Sequence, residues 1–233
     1  MKKIFAFILI LLTSVSGQNN FWHQTNGPAG SSIRSISTNS TGHIFCATSG
    51  GVYRSTNNGD SWSQINNGLH YPYLMCIAAG ENGFVFGGGD GVYRSTDNGD
   101  NWTKVDEMLN YYTLCLSVSQ EGYIFAGAAG GIYRSTDNGE TWSKTDIPGS
   151  IIEAFAFSGE GNILVGNFTG LYISTDKGIS WNVTGNWVQE HIFSMIYANS
   201  GKIFAGTGFG IYRSDDNGIS WVQLNITEGY ALA

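Results

Sequence analysis

Between Tyr112 and Trp142 apolar and polar residues alternate in short runs, and each run stops at a cluster of Gly, Asn, Asp or Ser. That pattern predicts strands and hairpins rather than helices. Residues 113–118 read as a first strand, 120–122 as a turn, and 123–126 as a second strand. A glycine link at 127–130 leads to a third strand, 131–135 (GIYRS), then a turn at 136–140 and a fourth strand at 141–145. The same pattern recurs along the chain. Trp22, Trp62, Trp102, Trp142, Trp181 and Trp221 are separated by 40, 40, 40, 39 and 40 residues. A fixed period of this length marks one supersecondary unit copied in tandem. Four antiparallel strands per ~40 residues make the blade of a β-propeller. The strands are lettered A to D from the axis outward.

The turn between strands C and D carries the most regular motif. It reads STNNGDSW at 55–62, STDNGDNW at 95–102, STDNGETW at 135–142, STDKGISW at 174–181 and SDDNGISW at 214–221. The chemistry is local. The carboxylates of Asp97, Asp137, Asp176 and Asp216 can accept backbone amides ahead of them and close an Asx-turn, and Asn57 can do the same in the first copy. Gly59, Gly99, Gly139, Gly178 and Gly218 supply a positive φ. Trp62, Trp102, Trp142, Trp181 and Trp221 give each small sheet an apolar plug.

Five in-phase S-x-D-x-G-x-x-W turns, with Asn57 in place of Asp in the first, resemble the Asp-box, or BNR, repeat of the sialidase-like β-propellers, over nearly all of the expected mature chain. Similar boxes occur in sialidases, xyloglucanase-type glycoside hydrolases, sortilin-type receptors and photosystem-assembly propellers. The resemblance implies an all-β propeller of four-stranded antiparallel blades. It also implies that the box is a folding device on the face away from an active site. Five equivalent aspartates cannot all serve one catalytic centre, so they are expected to be structural.

Five complete A–D sets are expected, from near Ser32 to near Leu224. Residues 21–25 (FWHQT) match a lone outer strand D, and 226–233 (ITEGYALA) resemble entry into another strand A. The expected architecture is therefore an incomplete ring of six or seven blades. A five-blade ring with Trp22 on an extra edge strand is the alternative.

The first residues change the picture at one end. Lys2 and Lys3, an apolar run at 4–12 and a small-residue tail at 13–17 have the layout of a secretory signal peptide cleaved after Gly17. The apolar run is shorter than the ~20 residues that span a bilayer. An exported domain at 18–233, secreted, periplasmic or at the cell surface, is expected. The formal charge is −7, and loss of the two lysines makes it two units more negative. An acidic, lysine-poor chain argues against nucleic acid and anionic lipid as partners. Cys46, Cys76 and Cys115 form an odd set that suggests no disulfide framework and no metal site, and they read as small core residues. No cofactor is implied.

Departures from the repeat carry more information about binding than its constants. The D–A loops differ most, with His70, Tyr71 and Tyr73, then Glu107, Tyr111 and Tyr112, then Trp187, Glu190 and His191. Trp187 is the only tryptophan off the lattice. Aromatic faces with a few polar groups suit a glycan or a protein surface. Tyr73 and Tyr112 share a strand-start column and are expected to pack. An inner-strand column of Arg34, Met75, Leu114, Glu153 and Ser194 puts Arg34 and Glu153 toward the axis, either as an ion pair or as ordinary channel polarity. Arg54, Arg94, Arg134 and Arg213 precede the box serine, with Ile173 as the exception, and read as structural or as a solvated ring.

A sialidase-type site, as the resemblance implies it, needs three arginines, a Tyr–Glu pair and an aspartate acid/base. Arg34 sits near the expected first position, but the segment reads Arg34-Ser35-Ile36 without the proline of that motif. No aspartate precedes Asp60, and no other arginine lies off the lattice. Asp90, Asp106, Glu107, Glu153 and Glu190 are non-repeat carboxylates, with nothing marking two of them as a hydrolytic pair. The expected function is a glycan- or protein-binding scaffold. A sialidase-like glycoside hydrolase and a photosystem-assembly-like client binder are the alternatives.

Overall fold

A computed structural model describes residues 27–28, 32–105, 112–145, 147–148, 151–184 and 190–224. The outer strand expected at 21–25, the expected signal peptide at 1–17 and the expected strand entry at 226–233 lie outside them. The described residues form five four-stranded antiparallel sheets, each in simple sequence order. Blade 1 holds β1 (Ile33–Thr38), β2 (Ile44–Thr48), β3 (Gly51–Ser55) and β4 (Ser63–Gln64). Blade 2 holds β5 (Cys76–Ala79), β6 (Val85–Gly88), β7 (Val92–Ser95) and β8 (Thr103–Val105). Blade 3 holds β9 (Thr113–Val118), β10 (Ile124–Ala128), β11 (Gly131–Ser135) and β12 (Ser143–Thr145). Blade 4 holds β13 (Ile152–Phe157), β14 (Ile163–Asn167), β15 (Gly170–Ser174) and β16 (Asn182–Val183). Blade 5 holds β17 (Ile192–Tyr197), β18 (Ile203–Thr207), β19 (Gly210–Ser214) and β20 (Val222–Gln223).

The strands match the sequence reading with small shifts. In blade 3 the glycine link is shorter than expected, because Gly127 and Ala128 still pair within the sheet. Strand D begins at Ser143 rather than residue 141, since Thr141 belongs to the box turn.

The inner strands pack in the series β1, β5, β9, β13, β17, but β17 and β1 do not pack as neighbours. The result is an incomplete β-propeller. Its core is a chain of blade junctions. At each one the B and C strands of one blade (its trailing face) meet the A strand, tyrosine and tryptophan of the next (its leading face). Phe86 and Val92 of blade 2 thus pack with Leu116, Ile124, Tyr133 and Trp142 of blade 3. Leu164 and Leu171 of blade 4 pack with Ile192, Met195, Tyr212 and Trp221 of blade 5.

The pairing register corrects one column. Ser194 lies opposite Gly206 as Ala154 lies opposite Gly166 and Cys115 opposite Gly127. Ser194 therefore shares the cysteine column, and Phe193 takes the position of Arg34, Leu114 and Glu153. The same one-residue bulge recurs at the start of each of these inner strands. All three cysteines are free, with Cys46 and Cys76 buried and Cys115 half-buried. Burial raises their thiol pKa values, that of Cys46 to about 11. The thiols of Cys76 and Cys115 reach the Thr113 and Ile152 carbonyls of the following blades.

The box closes as its chemistry requires. The Ser135 hydroxyl donates to Asp137 Oδ1 at 2.8 Å and accepts the Gly139 amide at 2.8 Å. Asp137 Oδ1 accepts the Thr141 amide at 2.9 Å, and Oδ2 accepts its hydroxyl at 2.5 Å. Asn57 reproduces the turn by donating its own amide to the Ser61 hydroxyl. The residue before the box glycine is also left-handed, at φ 57° for Asn58, Asn98, Asn138 and Asn217 and 61° for Lys177. Asn tolerates that region better than most residues. The glycines have a second duty. A Cβ on Gly139 or Gly178 would lie 2.7 or 2.6 Å from Phe86 or Phe125 of the preceding blade.

These hydrogen bonds act on the charged carboxylates. The Thr141 hydroxyl and amide hold Asp137 at about 2, and those of Ser180 hold Asp176 at about 2. Asn101 lowers Asp97. Burial pushes Asp216 upward, but Ser220 and Ser214 outweigh it and leave it below the ordinary value. A depressed folded-state pKa gives stability that is complete above the ordinary value of 3.8 and is lost as pH falls toward about 2. Thermal melts are expected to be flat above about pH 5 and to fall steeply between about pH 4 and 2. A D137N/D176N variant keeps the turn, as Asn57 shows, and is expected to remove about half of that acid slope. An unchanged slope would place acid sensitivity elsewhere.

Candidate functional site

The boxes share one side of the blades with the A–B turns. Asn98 of the second box donates its amide to Gly83 in the A–B turn of the same blade, and Asn39 reaches Asn98 across the first junction. The B–C links and D–A loops form the other side, where Ala129 donates to the Tyr112 carbonyl.

On this second side His70 and Tyr71 are exposed and meet edge to face at 4.7 Å. Arg34 donates to the Tyr73 hydroxyl, and its guanidinium lies 5.1 Å from that ring. Glu153 Oε2 is 2.8 Å from His191 Nε2, and the His191 ring lies 4.2 Å from Phe193. Arg34 and Glu153 therefore each engage the strand start of the following blade rather than one another. Glu190 Oε1 accepts the Tyr212 hydroxyl at 3.0 Å. Trp187, Tyr111, Asp106 and Glu107 lie outside the described residues.

One expectation is corrected. Tyr73 and Tyr112 do not pack into the core; they are 40% and 65% exposed, because the fully buried residues after them, Leu74 and Thr113, fill the junction instead. Sequence reasoning also missed Phe168 and Phe209, exposed at the B–C links of blades 4 and 5. The signal was present, since blades 1 to 3 carry Ser49-Gly50, Gly89-Asp90 and Ala129-Gly130 at those links. Tyr71, Tyr112, Phe168 and Phe209 thus place four exposed aromatic rings on one side of the propeller.

The polar pairs there are suited to holding loops rather than to nucleophilic chemistry. Burial, reinforced by Asp90 and Glu190, raises Tyr93 and Tyr212 to about 12, so both phenols remain protonated hydrogen-bond donors. The guanidinium groups are also divided. Arg54 donates to the Asn98 carbonyl at 2.7 Å and pairs with Asp100 at 2.9 Å. Arg94 repeats this with Asn138 and Glu140. They clasp the next blade's box on the opposite side, so they are structural and cannot join Arg34 around a substrate carboxylate. Among the described residues no group of three His, Cys, Asp or Glu side chains is placed to hold a metal ion. A cavity of about 440 Å³ opens on the box side, between the A–B turns of blades 1 to 3, over Phe84, Phe86 and Ile124.

Comparison with known proteins agrees with this architecture. Residues 8–110 match the family described as DUF6242 beta propeller domain, and residues 133–144 match the BNR/Asp-box repeat. No curated protein sequence matches. Among solved structures the chain is similar to YCF48 bound to D1 peptide, at 21% identity and TM-score 0.63, covering 83% of this chain and 67% of that one. It is similar to an ancestral GH74 enzyme at 20% identity and TM-score 0.73, covering 87% of this chain but 32% of the enzyme. Virginiamycin B lyase from Staphylococcus aureus aligns at 14% identity and TM-score 0.68, covering 85% of this chain and 71% of that one. The chain is a β-propeller built from Asp-box repeats, and the likeness to these structures is one of fold.

Proposed function

We propose that this Asp-box propeller is an exported binding module that holds a polymer ligand, a glycan or a polypeptide segment, on its D–A side. The observation that carries the reading is the set of exposed rings at Tyr71, Tyr112, Phe168 and Phe209. Flat apolar faces fixed on a rigid sheet scaffold lose little entropy on binding, whether they stack on sugars or take up apolar side chains. Tyr71, Tyr111 and Trp187 suit a glycan, with His70, Glu190, His191, Arg34 and Glu153 as orienting groups. Phe168 and Phe209, which carry no hydroxyl, favour a polypeptide, and YCF48 supplies a fold relative bound to a peptide. The leader-like first 17 residues support export. No helix among the described residues is long and apolar enough to cross a membrane.

The test is parallel glycan and peptide arrays with wild type, Trp187→Ala and a Y112A/F209A double variant. Loss of about tenfold or more in affinity is expected for the double variant on the array that binds. Unchanged binding would remove this side from consideration. Turnover of a chromogenic sialoside would replace the binding reading with the hydrolase one.

A further inference from the structure

The four internal junctions share one apolar pattern, the first two add an arginine–acid clasp, and the two outer flanks of the open ring each hold half of such a junction. On the leading side, the position filled by Ile77, Leu116, Phe155 and Met195 is buried in blades 2 to 5, while its equivalent Ile36 in blade 1 is 57% exposed. Ile33 is 48% exposed where Leu74, Thr113, Ile152 and Ile192 are fully covered. On the trailing side, Phe45, Phe86, Phe125 and Leu164 are buried, and their equivalent Phe204 in blade 5 is only half-buried. Val52, Val92, Ile132 and Leu171 are likewise buried, and Ile211 is not.

The polar groups are split in the same way. Ser35, Cys76 and Cys115 each hydrogen-bond the inner strand of the following blade. Ser194, in their column, has a buried hydroxyl with no partner among the described residues. Arg54 and Arg94 clasp the following box through its acid, Asp100 or Glu140. At the third junction Ile179 takes the acid position and Arg134 lies over the Tyr123 ring of its own blade, 4.9 Å from its centroid. At the fourth both halves are missing, because Ile173 replaces the arginine and Ile219 the acid. Arg213 restores the arginine on the trailing flank and turns back onto Asp215 of its own box. Asp60 restores the acid on the leading flank, with no ion-pair partner among the described residues.

We propose that the flanks of blades 1 and 5 form one socket for a further Asp-box blade. Its leading face supplies an acid to Arg213 and an inner-strand carbonyl to Ser194, and its trailing face supplies an arginine to Asp60. The partner is specified by charge order as well as by apolar area. A blade with isoleucine at both clasp positions buries the same apolar surface but leaves the ionic halves unpaired.

The probe is the full chain with a second copy of residues 68–105, the blade 2 repeat that carries both Arg94 and Asp100, fused after Ala233. The fused copy is expected to raise the melting temperature. Arg213→Glu should remove most of that gain, and Asp100→Arg in the fused copy should recover it. Asp60→Arg paired with Arg94→Glu in the fused copy should behave alike. No gain overturns the proposal, as does insensitivity to both charge reversals. So does concentration-dependent self-association of the chain alone through these flanks, because a second copy would then be the occupant.

Discussion

Trp142→Ala is expected to cost about 3–5 kcal/mol, while Trp62→Ala, the same change two blades away on the open flank itself, costs less than half of that. Both indoles donate to the carbonyl of their own box glycine, Gly139 and Gly59. The local hydrogen bond therefore cancels between them. What differs is cover. Trp142 is buried against Phe86 and Val92 of blade 2, whereas Trp62 is half-buried on the leading face of blade 1. Removing a large buried ring loses its transfer free energy and leaves a cavity that the sheets cannot fully close. Urea unfolding of the two variants measures the contrast. Equal losses would mean that the tryptophan works mainly inside its own box, and that the junctions carry little of the stability.

Gly166→Ala should open the junction between blades 4 and 5 at a cost of about 1–3 kcal/mol or more, although it adds a single methyl group. The new Cβ would lie 2.4 Å from Ile192 Cγ2 and 2.5 Å from Ile192 Cβ. A branched Cβ cannot rotate out of the way, so the inner strand β17 must shift. The protein contains its own control. Gly88 faces Thr113, Gly127 faces Ile152 and Gly166 faces Ile192, all β-branched. The equivalent position in blade 1 is Ala47, which shares its core with Leu74, a residue not branched at Cβ. Ile192→Leu in the Gly166→Ala background is accordingly expected to recover most of the lost stability. Additive losses in that double-mutant cycle would rule out the steric coupling.

How much of this could be read in advance depended on distance along the chain. The box was fully legible, because Ser135, Asp137, Gly139 and Thr141 complete their hydrogen bonds within seven residues. The exposed rings were only partly legible. Tyr71 stands out as a departure from the repeat, but Tyr73 and Tyr112 looked like core residues because they occupy a regular column. Register decides that column, and the bulges that set the register depend on sheet pairing. Phe168 and Phe209 sit in two-residue links whose exposure depends on how the sheets splay.

The amino-acid order alone determined the repeat, the four strands of each sheet and the turn that joins the outer two. Those features rest on periodicity, side-chain chemistry and backbone preference over a few neighbours. Only the assembled ring decided which arginine clasps which acid, which glycine must meet a branched neighbour, and which apolar faces remain open at blades 1 and 5. The glycine contacts join residues 25 or 26 apart and the arginine clasps residues 46 apart, all adjacent across a junction. Spacing along the chain can suggest such partners, but packing selects them.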